Sequence, residues 1–358
     1  MHNEKGIEKK FSLSFIFLFI IMWLLFGGNT WNADYANYSR LYNDISEFSS
    51  RNTEVGFYIF SKICSLMGLS YNTFLMIYSL VGMLLIASTI KKYSNNDTLA
   101  LMLIFIFPFL IDIVQIRNFM AMAILIYSIP YLVSGKLKDL LKYIFFIFLA
   151  FCFHKTALFY LILLLTKIKS IRKIIFFSFS FLIVALIGKS AIVSVFSQIL
   201  NLERYGVYLS NSESPVVTFI LFLYIFTNIL LIGYVARKMN TNKYKEFSDS
   251  YGLRKYDQGK FANLILKINI LGTISLVFIS MDINFLRLFR NLIPLNLIVF
   301  TMMKPRNRFT TNLNEFVHSI LFFSLIIISN IVFIVLLSYD EILYPVFVHN
   351  IIFEWLSR

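Results

Sequence analysis

Apolar residues run along this chain in long blocks, broken by short polar and basic connections. A bilayer core takes about 20 mostly apolar residues per helix, with shorter segments tolerated inside a bundle. The pattern predicts spans near 11–28, 70–90, 97–111, 115–133, 139–153, 155–166, 173–188, 215–236, 262–280, 285–303 and 316–338. The fifth and sixth almost touch through Phe153-His154-Lys155. They read either as a tight helical pair or as one long broken helix. The fold class is therefore all-α, a polytopic transmembrane bundle of about 10–11 spans in a single membrane domain, 1–358. Its longest expected connections are outer loops at 29–69 and 189–214 and a cytoplasmic loop at 237–261. Segment 54–68 is apolar enough for a surface or re-entrant helix. The tail 339–358 carries Tyr344, Phe347, Phe353 and Trp355 for the interface.

Composition agrees with the pattern. Residues are 58% hydrophobic and only 15% charged, and mean hydropathy is +0.75. A soluble domain has about a quarter charged residues. Forty Phe and twenty Tyr suit a lipid-facing surface with an aromatic belt. The basic start and first apolar run lack a small-residue cleavage site, so the run is expected to be a retained helix. Cys64 and Cys152 stand alone in apolar surroundings, which points to neither a disulfide framework nor a zinc site.

Charge orients the bundle. Cytoplasmic loops are rich in Lys and Arg. With the N-terminus inside, every inside segment is basic: Lys5, Lys9 and Lys10; Lys91 and Lys92; Lys136, Lys138 and Lys142; Lys167, Lys169, Arg172 and Lys173; a run from Arg237 to Lys260; then Lys304, Arg306 and Arg308. Merging spans five and six would spoil this, so charge favours the tight pair. The net charge of +14 is scattered through short loops and gives no nucleic-acid signal.

The remaining ionisable residues gather at one expected depth on the outer side. Arg117 opens the fourth span, beside Asp112. His154 and Lys155 stand at the outer junction of spans five and six. Arg204 is in an outer loop, and Arg287 and Arg290 lie one turn apart after Asp282. Ionisable groups at such depth are costly and usually face a cavity or partner. Single ones are commonly snorkelling anchors, which is the better reading of Lys155, Lys189 and Lys267. Asp112 is a natural salt-bridge partner for Arg117, and Asp282 for Arg287. Several Arg at one depth suit bidentate phosphate binding, and a ring of them reads as a site for a lipid-linked pyrophosphate.

These residues stand in an order that resembles a known family. The first outer loop reads Asn32-Ala-Asp34-Tyr35-Ala-Asn-Tyr38, then Glu54-Val-Gly56-Phe57. Span four opens Gln115-Ile-Arg117-Asn118-Phe-Met-Ala121, span five ends Phe153-His154-Lys-Thr-Ala157, and Arg287-Leu-Phe-Arg290 follows. Over about residues 11–300 this resembles the EpsG family, Wzy-like polymerases of exopolysaccharide, capsule and O-antigen. Asn118 stands where the family more often has Gln.

The resemblance implies a GT-C-like, metal-independent glycosyltransferase without cofactor in the bacterial cytoplasmic membrane, its active site facing the periplasm or exterior. It implies polyprenyl-pyrophosphate-linked oligosaccharides as donor and acceptor, with flippase and chain-length regulator proteins as partners. Arg117, Arg287 and Arg290 would hold pyrophosphate, with Arg204 as a lid contribution. His154 or Asp34 would accept the proton of the attacking hydroxyl. Tyr35, Tyr38, Glu54 and Asp282 would meet the sugars. The rival readings are a glycan ligase and a lipid-linked-oligosaccharide flippase or other transporter. A transporter predicts charges through the whole membrane and inverted repeats, and neither shows in the sequence.

Overall fold

The computed structural model describes residues 11–44, 54–188, 214–241, 257–303 and 313–352. Among them there is no strand, only an isolated bridge between Asn29 and Asn350. The chain forms α1 (Leu13–Gly27), α2 (Tyr35–Asn43), α3 (Val55–Leu66), α4 (Tyr71–Tyr93), α5 (Asp97–Val114), α6 (Ile116–Ser134) and α7 (Leu137–Phe153). A 3-10 helix follows (Lys155–Lys167), then α8 (Ile171–Ile187), α9 (Pro215–Met239), α10 (Gln258–Ile279), α11 (Ile283–Met302) and α12 (Leu313–Leu336). Each predicted span meets one of these helices.

Seven of them are long and apolar enough to cross a membrane: α4, α5, α6, α9, α10, α11 and α12. The other four are shorter: α1 has 15 residues, α7 and α8 have 17 each, and the 3-10 helix has 13. At about 1.5 Å per residue α7 is roughly 26 Å long. A 3-10 helix rises about 2.0 Å per residue, so its 13 residues also reach roughly 26 Å. The tighter winding lets a short segment match its partner.

These two form an antiparallel hairpin. His154 has extended backbone (φ −155°, ψ 122°) and breaks the helix there. The Tyr143 hydroxyl donates to Tyr160 O at 2.7 Å, halfway down, and Lys167 Nζ donates to Leu132 O at 2.6 Å, just before α7 begins. The tight pair favoured by charge is thus the observed arrangement.

Burial sorts the helices. In its most apolar stretch 89% of α11 is buried, against 28% in α9 and α12. So α11 is central, and α9 and α12 present their apolar sides outward. Polar groups inside such a bundle need internal partners, and α11 finds them along its length. Asn291 and Asn118 exchange side-chain hydrogen bonds at 2.9 and 3.0 Å. Asn296 and Asn269 do the same at 2.9 and 2.7 Å, and Asn296 also donates to Asn228 at 3.1 Å. Farther on, the Thr301 and Ser94 hydroxyls meet at 2.8 Å.

Segment 54–68 is helical as expected, and α3 lies against the end of α7. Tail 339–352 clasps the end of α1, with Thr30 N donating to His349 O and Ile351 N to Gly28 O, both at 2.9 Å, and it leaves Tyr344 exposed; Phe353 and Trp355 lie outside the described residues. Pro345 and Val346 are buried there.

Candidate active site

The site is built where the start of α3, the turn between α7 and the 3-10 helix, and the first turns of α6 and α11 converge. Glu54 is the N-cap residue of α3, but its carboxylate does not cap that helix. It turns inward, is buried, and forms an ion pair with Arg117 of α6. Its other oxygen lies 3.4 Å from His154 Nδ1. Arg117 also donates through Nε to the Tyr38 hydroxyl at 3.1 Å and lies over the Tyr38 ring, 5.3 Å from its centre. On the far side of the imidazole, an Arg287 Nη is 3.3 Å from His154 Nε2. Arg287 Nε donates to Asn284 O at 2.7 Å.

The result is a line of contacts, Tyr38–Arg117–Glu54–His154–Arg287, crossing five segments distant in sequence. A guanidinium only donates, so His154 Nε2 accepts from Arg287. Nδ1 then carries the proton and donates to Glu54. His154 is buried and both its nitrogens are engaged. Burial raises the Glu54 carboxyl, but the His154 hydrogen bond and the Arg117 charge outweigh it and hold it down at about 2. Glu54 is therefore an anion throughout the physiological range.

Asp34 stands just before α2. It is half-buried and makes no capping bond to its own helix. Burial pushes its carboxyl above the ordinary value, offset in part by the charges of Arg117 and Arg287, with Glu341 of the tail adding to the rise. Asp34 thus feels both cations, and Arg117 and Arg287 are themselves only partly buried. Tyr35 is also half-buried, and its hydroxyl donates to Asn72 at 3.0 Å.

A second tier lies deeper. Arg290 is buried and donates to Gln115 Oε1 at 2.6 Å, with Asp112 Oδ1 at 3.9 Å. Arg290 Nε and Asp112 Oδ1 have no hydrogen-bond partner among the described residues. Tyr160 donates to Leu288 O at 3.1 Å and ties the 3-10 helix to the start of α11.

Several expected assignments change. Asp112 pairs with Arg290, because α5 brings it beneath the first turns of α11, while Arg117 takes Glu54. Arg290, expected at a pyrophosphate, is sealed in the second tier. Glu54 and Tyr38, expected beside sugars, are buried and committed to Arg117. Asp282 is buried too, and its carboxylate accepts from Asn284 N at 2.7 Å, starting the turn that carries Arg287. His154, a candidate base, has both nitrogens occupied. Arg117 and Arg287 stand on one line of contacts and their charges reach Asp34, while Tyr35 packs against Tyr71 and Asn72. Arg204 lies outside the described residues. No group of three or more metal-ligating side chains occurs among the described residues.

Gln115, Asn291 and Gly56 carry parts of the site that sequence reasoning did not single out. Gln115 and Gly56 stand inside the quoted motifs, so their position was a signal. The Asn118–Asn291 pairing left none.

The family model described as EpsG family matches residues 12–346 of this chain. No curated protein and no solved structure matches it.

Proposed function

Because the chain belongs to the EpsG family, we propose that it is a polymerase joining polyprenyl-pyrophosphate-linked oligosaccharide repeat units on the outer face of a bacterial cytoplasmic membrane. The observation that supports this reading best is the line Arg117–Glu54–His154–Arg287, which holds two partly open guanidiniums at one end of the bundle.

In this reading a sugar hydroxyl of the acceptor attacks the anomeric carbon of the donor glycan. The new glycosidic C–O bond forms as the anomeric C–O bond to pyrophosphate breaks, and the electron pair leaves with the lipid pyrophosphate. Arg117 and Arg287 stabilise that developing charge as preorganised donors, which is where electrostatic catalysis gains most. Asp34 accepts the hydroxyl proton. A carboxylate whose pKa is raised by burial is a stronger base than an exposed one, so the environment suits that task. Glu54 and His154 are positioning residues. Glu54 fixes Arg117, and His154 spaces Glu54 from Arg287. Tyr35 is left as the aromatic wall for a sugar ring, and Arg204 as a lid residue.

The test is complementation of a strain lacking the gene, with wild type, Asp34→Asn, Arg117→Ala and Arg287→Ala at equal membrane levels. Single lipid-linked repeat units exposed outside, without polymer, in the null and in all three variants support the reading. Repeat units trapped inside the null cell make the protein a flippase. Long polymer left on its lipid carrier makes it a ligase.

A further inference from the structure

At the opposite end of the bundle, a cleft of about 280 Å³ opens between α6, the 3-10 helix and α10. Lys167, Lys169, Lys260 and Lys267 line it, and no acidic residue is among the described residues of the wall. Lysines at the basic end of a membrane protein are ordinarily solvated. Two of these are half-buried and bonded to backbone carbonyls. Lys267 reaches out of α10 to the terminal carbonyls of the 3-10 helix, Thr166 O at 3.0 Å and Ile168 O at 2.8 Å. Lys167 bonds Leu132 O at 2.6 Å. An ammonium has three N–H donors, so both hold further donors at fixed positions beside the cleft. The Gly135 turn (φ 72°) leaves this region open; a Cβ there would stand 4.0 Å from Lys167 Nζ.

Two carboxylates lie nearby without lining the wall. Asp257 pairs with Lys260 at 2.9 Å, and the charge of Asp139 is felt at Lys167. The cationic excess remains. Leu132 and Leu264 add apolar wall on the bundle side.

We propose that this cleft binds a phosphate group, as carried by an anionic phospholipid headgroup or a soluble phosphate. Lysines as compact point charges suit phosphate. Basic pockets between membrane helices take anionic headgroups, and the apolar side wall favours the lipid as the source.

Native mass spectrometry of the full chain in detergent tests this, with phosphatidylglycerol, cardiolipin and phosphatidylcholine each added. The informative variant is Lys169→Gln with Lys260→Gln, because both side chains are exposed and neither holds a helix-end carbonyl. The expected result is selective binding of the anionic lipids, weakened on the order of tenfold in the variant. Lys91→Gln with Lys92→Gln, outside the cleft, leaves binding at the wild-type level. If inorganic pyrophosphate binds the delipidated protein and the double variant loses it, the phosphate site stands with a soluble ligand. Equal retention of anionic lipid by variant and wild type, or equal binding of phosphatidylcholine, overturns the proposal.

Discussion

The carbonyl of Cys152 occupies the space that a side chain at Gly56 would need: a Cβ there would lie 2.8 Å from the oxygen. The obstruction is backbone, so α3 itself must shift to accept any other residue. Glu54 is two residues before Gly56, and His154 two after Cys152. This one approach therefore sets the Glu54–His154 contact. Gly56→Ala is expected to lower stability by about 1–3 kcal/mol through overpacking and to reduce polymer output more than the destabilisation alone explains. Thermal melting in detergent and polymer length, read on the same membranes, check it.

Glu54 serves two partners at once. Glu54→Gln leaves the half-buried Arg117 without its anion; breaking a fully buried pair costs about 3–5 kcal/mol, and the expected loss here is smaller because water still reaches the guanidinium. The double variant Glu54→Gln with Arg117→Gln should be more stable than the sum of the singles predicts, because the orphaned charge is gone. A double-mutant cycle on melting measures the coupling. Additive effects would mean that the pair contributes nothing.

The two carboxylates predict opposite responses to acid. Glu54 is held at about 2, below its ordinary value, so its stabilising contribution is full above the unfolded value near 4.5 and is lost as pH falls towards 2. The protein should keep its fold at pH 5 and loosen only in that lower window. Asp34 is raised, so its ionised form works against folding above its folded pKa, and protonation relieves this. Asp34→Asn should raise the melting temperature slightly at neutral pH while removing activity. The acid limb of the wild-type rate should lie above the ordinary aspartate value. A melting temperature lowered by Asp34→Asn would contradict the sign.

Arg287 and Arg290 are one turn apart but should fail differently. Arg290→Met strands buried Asp112, so the expected loss is of folded protein. Adding Asp112→Leu should recover much of it, since replacing a whole buried pair by apolar groups is often tolerated. Arg287→Lys should leave expression intact and cut activity by roughly 10²-fold or more, because a lysine cannot reproduce the guanidinium fork. Membrane abundance against polymer yield separates the two.

The helices were legible because the bilayer demands long apolar runs, and the hairpin at His154 because the basic loops must fall on one side. The short span 155–166 gave no hint of its 3-10 winding, since hydropathy carries no information on rise per residue. Within the site, residue types marked Asp34, Arg117, His154 and Arg287 without telling how they pair. Arg117 has Asp112 five residues away, yet takes Glu54 from another helix. Depth in the membrane can be read along one helix. Rotation about its axis, which leaves Arg287 partly open and Arg290 buried, depends on neighbours such as Asn118 and Asn269.

Those asparagine pairs have a mechanical consequence. Each is reciprocal, so moving α11 by one residue would break both bonds of a pair together and leave four polar groups in an apolar interior. There is no intermediate setting, and α11 behaves as a keyed shaft. Its end, bearing Arg287, is then a fixed wall. In the proposed reaction, an opening for the glycan falls on the side of α2, which carries Asp34 and is tied to this end through Tyr38.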